Sequence, residues 1–307
     1  MTVGAIIFVG VMKMLNWDFK RLSTVKYETN TYEINESFKN ITINTEAADI
    51  IFKKSTDSRV LVVCCDTEHT NYSIAVRDST LTVEYDNTGK WYHHIGIGFG
   101  TSSITVYLPE GSYGDLKIKE STGDVTVPHI LSFESIDVHV STGDVKCEAS
   151  ADGLVKLRTT TGAITCEGIS AGSLELTAST GKISLSHITC KDSVYASLST
   201  GKMQAVNLTC EGFSSTGSTG DITLEGVISE KGLSIERSTG DVLLSGCDAE
   251  TVSVTTDTGD ITGTLLTPKI FTAKTDTGKV SVPKSLQGGD CTLTTDTGNI
   301  SIDILEE

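Results

Sequence analysis

Proline is nearly missing from this chain, with 4 in 307 residues. Aromatic residues are scarce at 6%, which argues against a large apolar ligand pocket. Basic residues are outnumbered: 24 Lys and Arg face 40 Asp and Glu, a formal charge of −16. An acidic balance of that size argues against nucleic acid as a partner, because phosphate binding needs a basic face. No CxxC pair, Walker loop, GxSxG elbow or dinucleotide fingerprint occurs. His69, His93, His94, His129, His139 and His187 show no metal-ligand spacing. No cofactor and no small-molecule substrate are expected. Long apolar runs are also missing, with one exception at Val3–Met12.

What is abundant is glycine, at 29 residues, and it is regularly placed. A Thr-Gly dipeptide puts its glycine at Gly123, Gly143, Gly162, Gly181, Gly201, Gly220, Gly240, Gly259, Gly278 and Gly298. The intervals are 19 or 20 residues throughout. Apolar residues flank each copy at fixed offsets. Seven and five before the glycine stand pairs such as Leu116/Ile118, Leu174/Leu176 and Val252/Val254. Two and four after it stand pairs such as Val125/Val127, Val145/Cys147 and Ile300/Ile302. Both sets alternate with polar residues, the period of a strand. A further apolar slot falls seven after the glycine: Ile130, Ile169, Ile188, Leu208, Val227, Cys247 and Leu266.

Each repeat therefore reads as a short strand, a Thr-Gly turn, a second short strand and a corner. One repeat cannot bury its apolar slots, but stacked repeats can. The expected fold is all-β: a β-solenoid of 19–20-residue coils with two short strands each. Ten coils stacked at a strand spacing of about 4.8 Å give a rod of roughly 48 Å. Proline is scarce because ladder strands need their N–H groups. A propeller blade would need a repeat of about 40–45 residues.

Residues 111–307 form the regular part, and residues 25–110 a degenerate N-terminal solenoid or cap. There, Ile41, Ile43, Ile50 and Phe52 bracket Ala48 at the repeat offsets. The segment Lys90–Gly100 holds Trp91, Tyr92 and Phe99. It reads as a loop over the rod's open end or as a contact surface. Residues 1–24 form an apolar N-terminal segment, expected as a short helix. Its run is shorter than the ~20 residues of a spanning helix. Trp17 with Lys13, Lys20 and Arg21 resembles the interfacial end of one. A truncated membrane anchor is the expectation, and a fully soluble product on membrane fractionation would count against it.

The phrases Asn16-Trp-Asp-Phe19, Lys26–Glu33, Lys90–Gly100 and Ile104-Thr-Val-Tyr-Leu-Pro109, with the stacked STGD and DTGD turns, resemble a bacterial family. It is the "putative adhesin" β-solenoid family of unknown function, DUF4097, common in Firmicutes. The resemblance covers about residues 16–307. It implies a membrane-associated, extracytoplasmic solenoid of the cell envelope, not an enzyme, that displays or binds a surface partner. Family links to envelope stress imply a sensing or regulatory role as the alternative. A polysaccharide-active β-helix enzyme is a remote third reading, because these repeats lack the long loops that such sites use.

The Asp-Thr-Gly triplets beginning at Asp257, Asp276 and Asp296 match an aspartic-protease signature. That chemistry needs two carboxylates sharing a proton in a cleft. Here the same slot holds serine in earlier repeats, so these are turn residues. The slot after the glycine holds Asp in five coils and Lys182 and Lys202 in two. Asp241, Asp257, Asp260 and Asp276, read as lying on one coil and its neighbours, make a weak Ca²⁺ candidate, since hard cations take clustered carboxylate oxygens. Of eight cysteines, Cys147, Cys166, Cys247 and Cys291 occupy apolar slots. Cys190 and Cys210 share a corner slot at a separation compatible with a disulfide, though nothing demands one.

Overall fold

The computed structural model describes residues 27–67, 70–86 and 102–305, together with Lys13. Among the described residues, twenty-one strands join one hydrogen-bonded array. From the Ala48 coil to the C-terminal end the neighbours run parallel and in register. Val138 lies between Ile118 and Leu157, and Val145 between Val125 and Ile164. The inward slots behave as the alternation requires. Leu116, Val125, Val127, Val138, Leu157 and Ile164 are fully buried. This is a β-solenoid, and its core is the column of these slots along the rod.

Two details of the coil differ from the sequence expectation. Strand pairs are separate where Asp follows the glycine, as in Gly111–Thr122 and Val125–Val127. They fuse through the turn in Ser150–Glu167, Ser170–Cys190 and Ser193–Thr219. The corner slot also slips twice. Ile130 is only half-buried and Leu131 takes its place. Leu266 is 43% exposed while Leu265 is fully buried. In the second case an irregularity in the ladder, between Leu244 and Cys247, sets Cys247 opposite Leu265.

The N-terminal third completes the rod and closes it. Strands Asn40–Ala47 and Asp49–Lys54 make a coil around Ala48 that stacks on the Gly123 coil, with Ile43 against Ile118 and Ile50 against Val125. Beyond it, Thr80–Asp86 and Ser103–Leu108 form one more layer. Pairing then changes hand. Val60–Thr67 runs antiparallel to both Ser103–Leu108 and Tyr27–Ile34, and Asn71–Arg77 antiparallel to Thr80–Asp86. Asp66 ties this end together. It accepts from the Tyr72 hydroxyl at 2.5 Å, from Ser102 Oγ at 2.8 Å and from Thr70 Oγ1 at 3.1 Å.

At the other end the coils are out of sequence order. Val254 pairs with Leu293, and Leu293 pairs in turn with Ala273. Ile261 likewise pairs with Ile300, which pairs with Val280. The Gly298 coil therefore lies between the Gly259 and Gly278 coils. The two coils differ in burial as their places require. Cys291, Leu293, Ile300 and Ile302 give the Gly298 coil four buried slots. The Gly278 coil has small Ala273, and Val280 is 44% exposed. Its second strand is only Val280–Ser281, two residues before Pro283, which suits an edge.

The apolar segment 1–24 lies outside the described residues apart from Lys13, so the expected N-terminal helix finds no support in the fold. Among the described residues, no helix is long and apolar enough to cross a membrane.

Candidate functional site

The repeated turns form one continuous edge of the rod. Each turn glycine has a positive φ, such as 151° at Gly181 and 145° at Gly240. Two constraints hold there at once. L side chains rarely adopt that backbone, and a Cβ on Gly181 would overlap the Gly162 carbonyl. The glycine N–H donates along the rod: Gly143 to Thr161 O at 2.9 Å, Gly240 to Thr258 O at 2.9 Å. The glycine carbonyl accepts from a threonine three residues before the next turn, as Thr159 Oγ1 does to Gly143 O at 3.0 Å.

Aspartates after the glycine continue this hydrogen bonding. Asp124 Oδ1 accepts from the Asp144 N–H at 2.8 Å, and Asp144 Oδ1 from the Ala163 N–H at 2.7 Å. Asp241 Oδ1 accepts from Asp260 N–H at 2.9 Å, and Asp260 Oδ1 from Asn299 N–H at 2.6 Å. A strand break at Gly-Asp would strand a donor, and the neighbouring carboxylate takes it. These carboxylates are ladder acceptors as well as surface charge.

That geometry, with the coil exchange, corrects the four-aspartate grouping. Asp276 is not on a coil adjacent to Asp257 and Asp260, because the Gly298 coil intervenes. Asp276 instead faces Lys274 at 3.0 Å. Among the described residues, no group of three or more His, Cys, Asp or Glu is arranged to hold a metal ion. Trp91, Tyr92 and Phe99 lie outside the described residues.

Thiols line the core as small hydrophobes. Cys147 and Cys166 are opposed across one rung and fully buried, and burial pushes the Cys147 thiol up to about 12. Cys190 and Cys210 are both buried and both free, so no bridge joins them. The Cys190 thiol instead meets the Gly172 carbonyl at 3.2 Å.

Two charged residues interrupt the interior at the threonine slot, three before the turn. Glu120 is 1% exposed. Thr45 Oγ1 donates to it, as do the Ser121 and Thr122 amides at 3.1 Å each. Burial pushes its pKa up to about 7, against the pull of those amides. Arg237 is 3% exposed and spans the space left by Gly217 to donate from Nη1 to Leu198 O at 2.7 Å. Its Nε and Nη2 have no partner, and burial lowers its pKa. Neither residue was singled out from sequence. Aligning the coils at this slot exposes both, because the other occupants are Thr, Val, Ala, Leu and Gly.

Outward positions four before the turn stack Lys119, His139 and Arg158 on consecutive rungs. They border a groove of about 340 Å³ with Lys117, Thr42 and Asn44. Sequence reading passed over this column because each residue alone is an ordinary surface charge.

The sequence profile of Toastrack, DUF4097, matches residues 38–193 and again 188–307. The chain belongs to the Toastrack family. No curated protein matches it. Similar solved structures include a "putative adhesin" of Parabacteroides distasonis ATCC 8503, 11% identical, covering 92% of this chain and 98% of that one at a TM-score of 0.49. A "putative adhesin" of Bacteroides fragilis NCTC 9343 is 15% identical, covering 91% and 97% at 0.40. A "putative cell adhesion protein" of Clostridium sporogenes ATCC 15579 is 10% identical, covering 92% and 100% at 0.28.

Proposed function

We propose that this Toastrack protein is a non-enzymatic, adhesin-like display rod of the cell envelope. On this reading the N-terminal segment holds it near a membrane and the solenoid lies outside the cytoplasm. The observation that carries the reading is the uninterrupted register of the turns. Successive turn glycines from Gly143 to Gly298 are never more than 20 residues apart. No long loop interrupts that stretch to build the cleft that an enzyme on a β-helix needs. Turn N–H and C=O groups are largely consumed by neighbouring coils, so outward side chains are what a partner would read. Such a rod binds by presenting a repeated polar surface at a fixed distance from its anchor.

The test is protease shaving of intact cells followed by adhesion assays with labelled full-length protein. Cleavage of the solenoid on intact cells and saturable binding to cells or matrix are expected. A protein protected until lysis, or turnover of a polysaccharide, overturns the reading.

A further inference from the structure

We propose that the groove beside Lys117, Lys119, His139 and Arg158 binds a short phosphoryl polyanion, stacked along the rod axis. The site is independent of whether the rod acts as an adhesin. It starts from a local gathering of basic side chains. In a chain of net charge −16, three consecutive rungs carry Lys119, His139 and Arg158 one above another. Successive rungs lie about 4.8 Å apart, so Lys119 and Arg158 stand about 10 Å apart on one face with His139 between them.

The adjacent outward column, six before the turn, mixes the two signs. It alternates Lys117, Asp137, Lys156 and Glu175. Lys156 Nζ pairs with Glu175 at 2.5 Å, and Asp137 takes Arg158 Nη2 at 2.7 Å. Those pairings consume both acids. Among the described residues, Lys117, Lys119 and His139 have no ion-pair partner. Arg158 Nε is buried with no acceptor, although Arg158 lines the groove.

A ligand that suits these side chains has acceptor oxygens on several adjoining groups. Arg and Lys together suit phosphoryl oxygens, Arg through its planar fork and Lys as a point charge. The basic rungs span two intervals, about 10 Å, which matches a few linked phosphoryl groups better than one. Two acids also line the groove, Glu84 at one end and Asp137 turned to Arg158, and Glu175 lies beyond the other end. Thr42 and Asn44 on the next coil add neutral donors along the same wall.

Calorimetry with the full chain at low salt tests this, with tripolyphosphate, inorganic phosphate and phosphatidylglycerol vesicles as separate probes. Tripolyphosphate is expected to bind, and more tightly than inorganic phosphate. The double change Lys117→Glu with Lys119→Glu is expected to weaken it by about tenfold or more. The milder pair Lys117→Gln with Lys119→Gln should weaken it less, with an unchanged melt. Lys182→Glu with Lys202→Glu, on a different edge, should leave binding intact. No heat with tripolyphosphate overturns the proposal. So does an equal loss in the Lys182 and Lys202 variant, which would mean diffuse attraction. Binding to vesicles alone overturns it too, in favour of a lipid surface.

Discussion

Turns where aspartate follows the glycine and the turns at Lys182 and Lys202 carry the same glycine geometry, yet the backbone around them differs, while the Lys279 turn breaks its strand as the aspartate turns do. At Gly143 the strand stops, and the Asp144 carboxylate takes the next coil's N–H. At Gly181 and Gly201 the strand runs through, and Lys182 faces Lys202 as an ordinary rung. The turn needs glycine in both cases, for φ and for close approach. The following residue is free to vary as long as the donor is satisfied, by a side chain or by the ladder. What matters is the hydrogen-bond count at the turn, not the charge displayed there.

The comparison breaks most visibly at the glycines. Gly181→Ala and Gly240→Ala each force an L residue to positive φ and into a neighbouring carbonyl. Each is expected to cost about 3 kcal/mol or more. Thermal unfolding that spares one of the two would show that the two turn classes do not share one constraint.

The next effect is inside the rod, where Glu120 takes the slot that Thr159 fills elsewhere. Its folded pKa is raised from the carboxyl value of 4.5 to about 7. The folded state therefore holds a proton that the unfolded state has released. This contribution is fully present below about pH 4.5 and is lost as pH rises through about 7. Chemical denaturation across that window should show the wild type losing stability relative to Glu120→Gln. Parallel curves for the two proteins would refute the assignment.

Removing one ladder acceptor is smaller. Asp144→Ala leaves the Ala163 N–H without its partner and should cost about 1 kcal/mol, whereas Asp144→Asn keeps an acceptor and much of the stability. Equal melts for the alanine and asparagine variants would mean the charge, not the bond, matters. Smallest is Lys202→Ala. Its pair with Asp221, at 2.9 Å, joins groups 72% and 45% exposed, and such pairs give about 0–1 kcal/mol. A larger drop in melting temperature than for Asp144→Ala would reverse the ranking.

The repeat grammar made the coil, its inward slots and its turns readable from sequence, because one constraint recurs at each glycine. Coil order was not readable for the same reason. Val254, Leu293 and Ala273 sit in equivalent slots, so nothing local names their neighbours. Only small Ala273 and the early Pro283 marked the Gly278 coil as an edge. Burial of Leu265 over Leu266 turned on a ladder irregularity with no residue signature. The lysine, histidine and arginine of the groove became a column only once the coils were stacked in register.

The coil exchange also separates position in the chain from position in the fold. The Gly298 coil is a wedge, held between two coils that precede it in the chain. Its removal would leave the Gly278 coil without its ladder partner. Amide exchange in this part of the rod should therefore run against chain order: Leu293, inside, slow, and Ala273, on the outer coil, fast.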